Sequence, residues 1–175
     1  AVIGDSTFFH SGVTPLIDAF YNESEGLVLV LDNRTTAMTG HQGHPGTGLR
    51  PDGREGPAVD VQRLCEGIGV RCTTVDATDH KGLDAAVKRE VERPGLGVIV
   101  ALAPCVLTVR EPARRVTVDE ERCNLCGLCL DIGCPALALG EVAIKLTEAC
   151  TGCGLCAEVC RRGALALEPV GSDGP

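Results

Sequence analysis

Gly26-Leu27-Val28-Leu29-Val30-Leu31, closed by Asp32, is an unbroken apolar run of strand length. A half-solvated strand would alternate apolar and polar residues, so a continuous run predicts a parallel strand buried on both faces. Three further segments read as strands: the stub Val2-Ile3, Val70 to Val75, and Gly97 to Ala103. Helical patterns lie between them. Ser11 is placed to cap a helix carrying Leu16, Ile17 and Phe20 on one face. Val61, Leu64, Cys65 and Ile68 follow the i, i+3, i+4, i+7 spacing, and Gly69 supplies the left-handed residue that ends such a helix. Leu83, Val87 and Val91 recur at steps of four behind Asp79, a second capping residue. Strand, helix, strand, long loop, helix, strand, helix, strand over residues 1–108 is the order of an α/β, doubly wound parallel sheet.

The rest of the composition sets bounds. The chain has 175 residues, 16 Lys and Arg against 24 Asp and Glu, and a formal charge of -8, which argues against nucleic acid as a partner. Hydrophobic residues make up 44%, enough for a core, and only three Phe and one Tyr are aromatic, so that core is aliphatic. The longest largely apolar stretch, Gly97 to Val109, is interrupted by Pro104 and falls short of the roughly 20 residues a membrane helix needs. The chain opens inside an apolar run, Ala1-Val2-Ile3, and Met38 is its only methionine, which predicts the C-terminal piece of a longer protein. The loop from Arg34 to Pro57 is rich in Gly and Pro, and a loop of that length tends to be functional or disordered.

Residues 109–117 read as a polar linker, after which the composition changes. Eight of the eleven cysteines fall between Cys123 and Cys160. Cys123-Asn-Leu-Cys126-Gly-Leu-Cys129 recurs as Cys150-Thr-Gly-Cys153-Gly-Leu-Cys156, and Ala136-Leu-Ala-Leu139 recurs as Ala164-Leu-Ala-Leu167. Each half predicts a cysteine loop, a short helix and a strand, so residues 118–175 are expected to form a small pseudo-twofold α+β ferredoxin-like domain. Three thiolates two residues apart can wrap three corners of an iron–sulfur cube, and in two-cluster ferredoxins the fourth ligand is exchanged between halves. Cys123, Cys126, Cys129 and Cys160 are therefore assigned to one 4Fe-4S cluster. Cys150, Cys153, Cys156 and Cys134 are assigned to the other. Disulfides would need an oxidising compartment, and paired zinc sites would leave the third cysteine of each triplet unexplained. Cys134 is followed by Pro135, as in ferredoxins, whereas Cys160 is followed by Arg161-Arg162. Two arginines there either favour the reduced, more negative cluster or are a solvated basic pair.

At the other end, Gly4-Asp5-Ser6 follows the first strand stub, and Asn33 ends the next strand 28 residues after Asp5. Carboxylate and amide oxygens are hard ligands suited to Mg²⁺ or Ca²⁺ bridging a diphosphate, and the ends of neighbouring parallel strands are where such sheets bind phosphates. The carbonyl of Thr35 stands two residues on, available to complete the protein's share of an octahedral site. An Asp at a strand end is also a common helix cap. The spacing resembles the thiamine-diphosphate motif. Gly4-Asp5-Ser6-Thr7-Phe8-Phe9-His10 and Leu31-Asp32-Asn33-Arg34-Thr35-Thr36-Ala37-Met38-Thr39-Gly40-His41-Gln42 resemble the large subunits of the indolepyruvate ferredoxin oxidoreductase family.

That resemblance implies a partial thiamine-diphosphate-binding domain followed by a two-cluster domain. It implies that Asp5, Asn33 and the Thr35 backbone hold Mg²⁺, and that Gly4, Ser6 and nearby amides contact the diphosphate. It further implies oxidative decarboxylation of 2-oxoacids, arylpyruvates foremost, with coenzyme A, an external ferredoxin and a smaller beta subunit as partners in a cytoplasmic hetero-oligomer. The pyrimidine-binding domain of that family is missing, so the segment alone is expected to be inactive. The rival readings are a ferredoxin-type electron carrier with a structural α/β part, and an oxidoreductase of pyruvate or branched-chain 2-oxoacids. Among the remaining residues, His10, His41 and His44 lie near the expected cofactor end; His41 reads first as an ordinary polar loop histidine, with an acid–base or substrate-carboxylate role as the alternative. His80 beside Asp79 reads as structural, and Cys65, Cys72 and Cys105 as buried, inert thiols.

Overall fold

The computed structural model describes residues 1–109 and 114–170. The chain divides into two compact units, Ala1–Thr108 and Val109–Pro175. In the first, β1 (Val2–Gly4), β2 (Gly26–Asp32), β3 (Arg71–Asp76) and β4 (Leu96–Leu102) form one parallel sheet in the order β1-β2-β4-β3. Central β4 is buried from Gly97 to Ala101, as its unbroken apolar run requires. Strand β2 is less so. Val30 is buried, but Leu31 on the opposite face is 47% exposed.

The first helical stretch departs from expectation. It begins at Asp5 and runs through α1 (Asp5–Thr7), a π-helical turn (Phe8–Gly12) and α2 (Val13–Tyr21). Ser11 is therefore inside it, and its hydroxyl donates back to the Thr7 carbonyl at 3.2 Å instead of capping. Leu16 faces the core, while Ile17 and Phe20 are largely exposed, with the Phe20 ring lying over Gly69. Helix α3 (Val61–Ile68) starts at Asp60, whose side chain accepts from the Arg63 amide, and ends at left-handed Gly69. Its Val61 and Cys65 join Leu16, Val30, Val98 and Val100 in a core that is aliphatic except for Phe8, its largest fully buried side chain. Each such fully buried side chain contributes about 1.5–3 kcal/mol. Helix α4 (His80–Glu92) is capped by Asp79 as expected. Its buried positions, however, are Ala86 and Glu90, and Val91 is 67% exposed. The chain turns a carboxylate inward because Arg71, Arg89 and Arg93 surround it.

In the second unit, β5 (Arg114–Val118) pairs antiparallel with β8 (Leu165–Pro169), and β6 (Leu137–Leu139) with β7 (Ile144–Leu146). The linker expected over 109–117 is thus a strand from Arg114 onward. Val116 turns inward opposite Leu167 while Arg115 and Thr117 face out, a period-two alternation that pairing selects. Residues 110–113 of that expected linker lie outside the described residues. Each half leads from a strand through a cysteine loop and a short helix, Leu130–Ile132 as a 3-10 turn or α5 (Leu155–Val159), to a second strand. The first strand of each half pairs with the last strand of the other, which ties the repeats together. Val116, Ile144 and Leu165 form the core with Cys129 and Cys156. No helix among the described residues is long and apolar enough to cross a membrane.

Candidate functional site

Register places Gly4 of β1 beside Leu31 of β2, so Asp5 emerges next to Asp32 at the carboxyl ends of two neighbouring parallel strands. Asp5 and Asp32 are 3% and 7% exposed, respectively. Oδ1 of Asp5 accepts from the Ser6 amide at 2.7 Å, and Oδ2 faces His44 Nε2 at 3.0 Å. Burial pushes the Asp32 carboxyl above its ordinary range; the Arg34 amide opposes this, and the neighbouring Asp5 carboxyl adds to it. Two buried acids thus stand at close quarters at the carboxyl end of the sheet.

The loop after β2 is built around the same point. Asn33 Oδ1 accepts from the Thr35 amide at 3.1 Å, a turn that leaves buried Thr35 following the strand end. Thr36 Oγ1 donates to Ser6 Oγ at 2.9 Å and ties this loop to the start of the first helix. The Cys105 amide donates to the Asn33 carbonyl at 2.9 Å, fixing the loop from the β4 side. Gly4, Asp5, Ser6, Asn33 and Thr35 thus all lie at one end of the sheet.

The histidines separate. His10 and His41 are exposed, and His41 Nε2 stands 3.8 Å from Cys105 Sγ. His44 is buried, stacked on Phe9 at 5.6 Å between ring centroids. Sequence reasoning favoured His41 because nothing local marks His44 as buried; the one available signal was its place in His44-Pro45-Gly46, a turn whose glycine permits close packing. Asp32 was also passed over, although it directly precedes Asn33. Of the three bystander thiols only Cys65 is buried; Cys72 and Cys105 are partly accessible.

The eight repeat cysteines line two separate cavities. One is lined by Cys123, Cys126, Cys129 and Cys160 together with Ile144, Leu165 and Arg162. The other is lined by Cys134, Cys150, Cys153 and Cys156 with Val116, Ile132 and Leu146. Both loops use left-handed residues at matching places, Leu125 and Gly127 in the first, Gly152 and Gly154 in the second. These reversals turn successive side chains to the same side. Gly152 has a further reason to be glycine, because a Cβ there would lie 2.0 Å from the Arg114 carbonyl oxygen. Burial raises the thiol pKa of Cys129, and the neighbouring Cys160, Cys126 and Cys123 add to it. Burial, with Cys153 and Cys150, pushes Cys156 up to about 11. Cys160 goes the other way: burial is outweighed by the amides of Ala164, Leu165, Arg162 and Gly163, and the Ala164 N–H lies 3.3 Å from its sulfur. Among the described residues no three His, Cys, Asp or Glu side chains converge on a single-ion point.

Residues 1–101 match the family described as thiamine pyrophosphate enzyme, C-terminal TPP binding domain, and residues 143–166 match the 4Fe-4S binding domain. Indolepyruvate oxidoreductase subunit IorA of Methanothermobacter thermautotrophicus is 41% identical over 176 residues, covering 97% of this chain and 28% of that protein. The subunits of the same name from Methanothermobacter marburgensis and Archaeoglobus fulgidus are each 38% identical, covering 95% and 94% of this chain and 28% of their own length. The chain therefore spans 28% of the length of these curated relatives. By its first 101 residues the chain belongs to the thiamine pyrophosphate enzyme family, carrying that family's C-terminal cofactor-binding domain, and it continues into a 4Fe-4S binding domain.

Proposed function

We propose that the chain is the cofactor- and electron-handling part of an oxidoreductase that oxidatively decarboxylates 2-oxoacids, with indolepyruvate and other arylpyruvates as preferred substrates. One observation carries the reading. A single chain places a buried acidic pair at the carboxyl ends of adjacent parallel strands and two four-cysteine cavities in the module that follows. The overall conversion takes one 2-oxoacid, one coenzyme A and two oxidised one-electron carriers to acyl-CoA, CO₂, two reduced carriers and one proton. Thiamine diphosphate, when bound, supplies the carbanion-stabilising chemistry for loss of CO₂.

The residues present fit these groups. Asp5, the Asn33 side-chain oxygen and the Thr35 carbonyl would supply hard oxygen donors to Mg²⁺, whose double charge would offset the crowding of Asp5 against Asp32. Gly4 and Ser6 stand where the chain enters its first helix; the Ser6 amide is engaged by Asp5 Oδ1, so the diphosphate would be met by the Gly4 backbone, the Ser6 hydroxyl and nearby amides. Four thiols line each of two cavities, and these residues would fit two 4Fe-4S clusters. Each oxidised cluster with its four thiolates adds about -2, so the formal charge of -8 becomes roughly -12. An external ferredoxin accepts the electrons, and a smaller beta subunit joins the chain in a cytoplasmic hetero-oligomer.

Steady-state assays of the full-length protein with indolepyruvate, phenylpyruvate and pyruvate test the substrate class. Thiamine-diphosphate binding in the presence of Mg²⁺, with Asp5→Asn and Asn33→Ala as variants, tests the site. Binding that both variants weaken by at least about tenfold supports the reading. A brown, cluster-loaded protein with no affinity for thiamine diphosphate would leave only an electron-transfer module with a structural α/β unit.

A further inference from the structure

We infer that His44 is a positioning residue that fixes the Asp5 carboxylate in the orientation from which it ligates a divalent cation. The inference rests on the Asp5–Asn33–Thr35 cation site proposed above. The geometry around His44 is fully specified. Its side chain is 1% exposed and that of Asp5 5%, so neither group can turn to water for a partner. The Gly46 amide donates into His44 Nδ1 at 3.2 Å. With Nδ1 accepting, the ring hydrogen sits on Nε2 and is directed at Asp5 Oδ2, 3.0 Å away. Phe9 stacks on the imidazole at an interplanar angle of 29° and blocks rotation of the ring. Gly46 admits this packing: a Cβ there would lie 2.6 Å from Phe9 Cε2 and 3.1 Å from His44 Cε1.

The chemistry suits a carboxylate reserved for a cation. Asp5 is held on both oxygens, by the Ser6 amide at 2.7 Å and by His44, and each oxygen keeps a lone pair. An uncharged imidazole donor orients the carboxylate and leaves its negative charge intact. A Lys or Arg at the same place would neutralise that charge and compete with the dication. A hydrogen-bond partner that aims a metal-binding side chain typically changes metal affinity by about 10–100-fold.

Mn²⁺, read by its electron paramagnetic resonance signal, is titrated into the full-length protein with thiamine diphosphate present. His44→Gln offers an N–H near the position of Nε2, whereas His44→Asn keeps an acceptor for Gly46 but falls short of Asp5. The expected result is near-wild-type Mn²⁺ affinity for His44→Gln and a loss of about tenfold or more for His44→Asn, with similar thermal stability of the two. In an Asp5→Asn background the two substitutions are expected to bind alike. Equal Mn²⁺ affinity of both His44 variants and the wild type, with Asp5→Asn still defective, would overturn the positioning role and leave the cation site standing. A wild-type protein that does not bind Mn²⁺ with thiamine diphosphate would overturn both.

Discussion

Replacing Glu90 by Gln tests whether a buried carboxylate locks α4 onto the sheet. Glu90 is 4% exposed, and its Oε1 accepts from Arg93 Nη1 at 3.1 Å. Arg71 Nε approaches Oε2 at 3.5 Å and Arg89 Nε approaches Oε1 at 3.6 Å. Breaking a fully buried ion pair costs about 3–5 kcal/mol. Here the arginine side chains are 39–53% exposed, so solvent screens the pairs in part. Neither Arg71 Nε nor Glu90 Oε2 has a well-formed hydrogen bond, which makes the Arg93 contact the strongest one. Glutamine keeps the shape and one acceptor, so the expected loss is about 1–2 kcal/mol, the scale of one charge-assisted hydrogen bond. The pH dependence has a definite sign. Burial raises the Glu90 pKa, but Arg93 and then Arg71 outweigh it, and the carboxyl sits below its ordinary value. A depressed folded pKa gives stabilisation that is present above the unfolded value of about 4.3 and disappears as pH falls through the folded one. Native-state hydrogen exchange of β3, β4 and α4 amides isolates this unit from the cysteine module. A Glu90→Gln protein as stable as wild type at pH 7, or a difference that grows on acidification, would refute the reasoning.

Three other outcomes are expected. Cys160→Ser should disturb the cluster in the Cys123–Cys126–Cys129 cavity and Cys134→Ser the one beside Cys150, each lowering iron from about eight toward about four per chain. Spectra assigning the Cys134→Ser lesion to the Cys123 cluster would rule out exchange of the fourth ligand. Gly152→Ala forces a Cβ against the Arg114 carbonyl at a φ of 69°, and should destabilise the second unit by more than about 1 kcal/mol, seen as cluster loss at lower urea than wild type. Arg162 lines only the Cys123 cavity, so Arg162→Glu should lower one of two reduction potentials and leave the other in place; equal shifts in both would count against a local effect.

The parallel strands were legible because β4 is covered on both faces, and an apolar run without alternation has few other stable fates in water. The cap of α3 at Asp60 escaped notice while its end at Gly69 did not, since a left-handed glycine is a stronger local signal than one of many acids. The inward face of α4 was misjudged at Glu90, because periodicity counts apolar residues and cannot see three arginines arriving from β3 and from α4 itself. Cysteine spacing alone suggests the two quartets, and strand pairing between the repeats is what brings Cys160 into one cavity with Cys123 and Cys134 into one with Cys150. Asp5 and Asn33 were visible as a spaced pair, but the partner of Asp5 was not. His44 lies 39 residues from Asp5 in a loop with no regular pattern, and only the folding of that loop over the strand ends makes it a buried donor. Local chemistry and periodicity are written in neighbouring residues, and the sequence determined those: strands, cysteine loops and the acidic motif. Which polar groups meet in the absence of water depends on long-range closure, and that was decided by the tertiary structure alone.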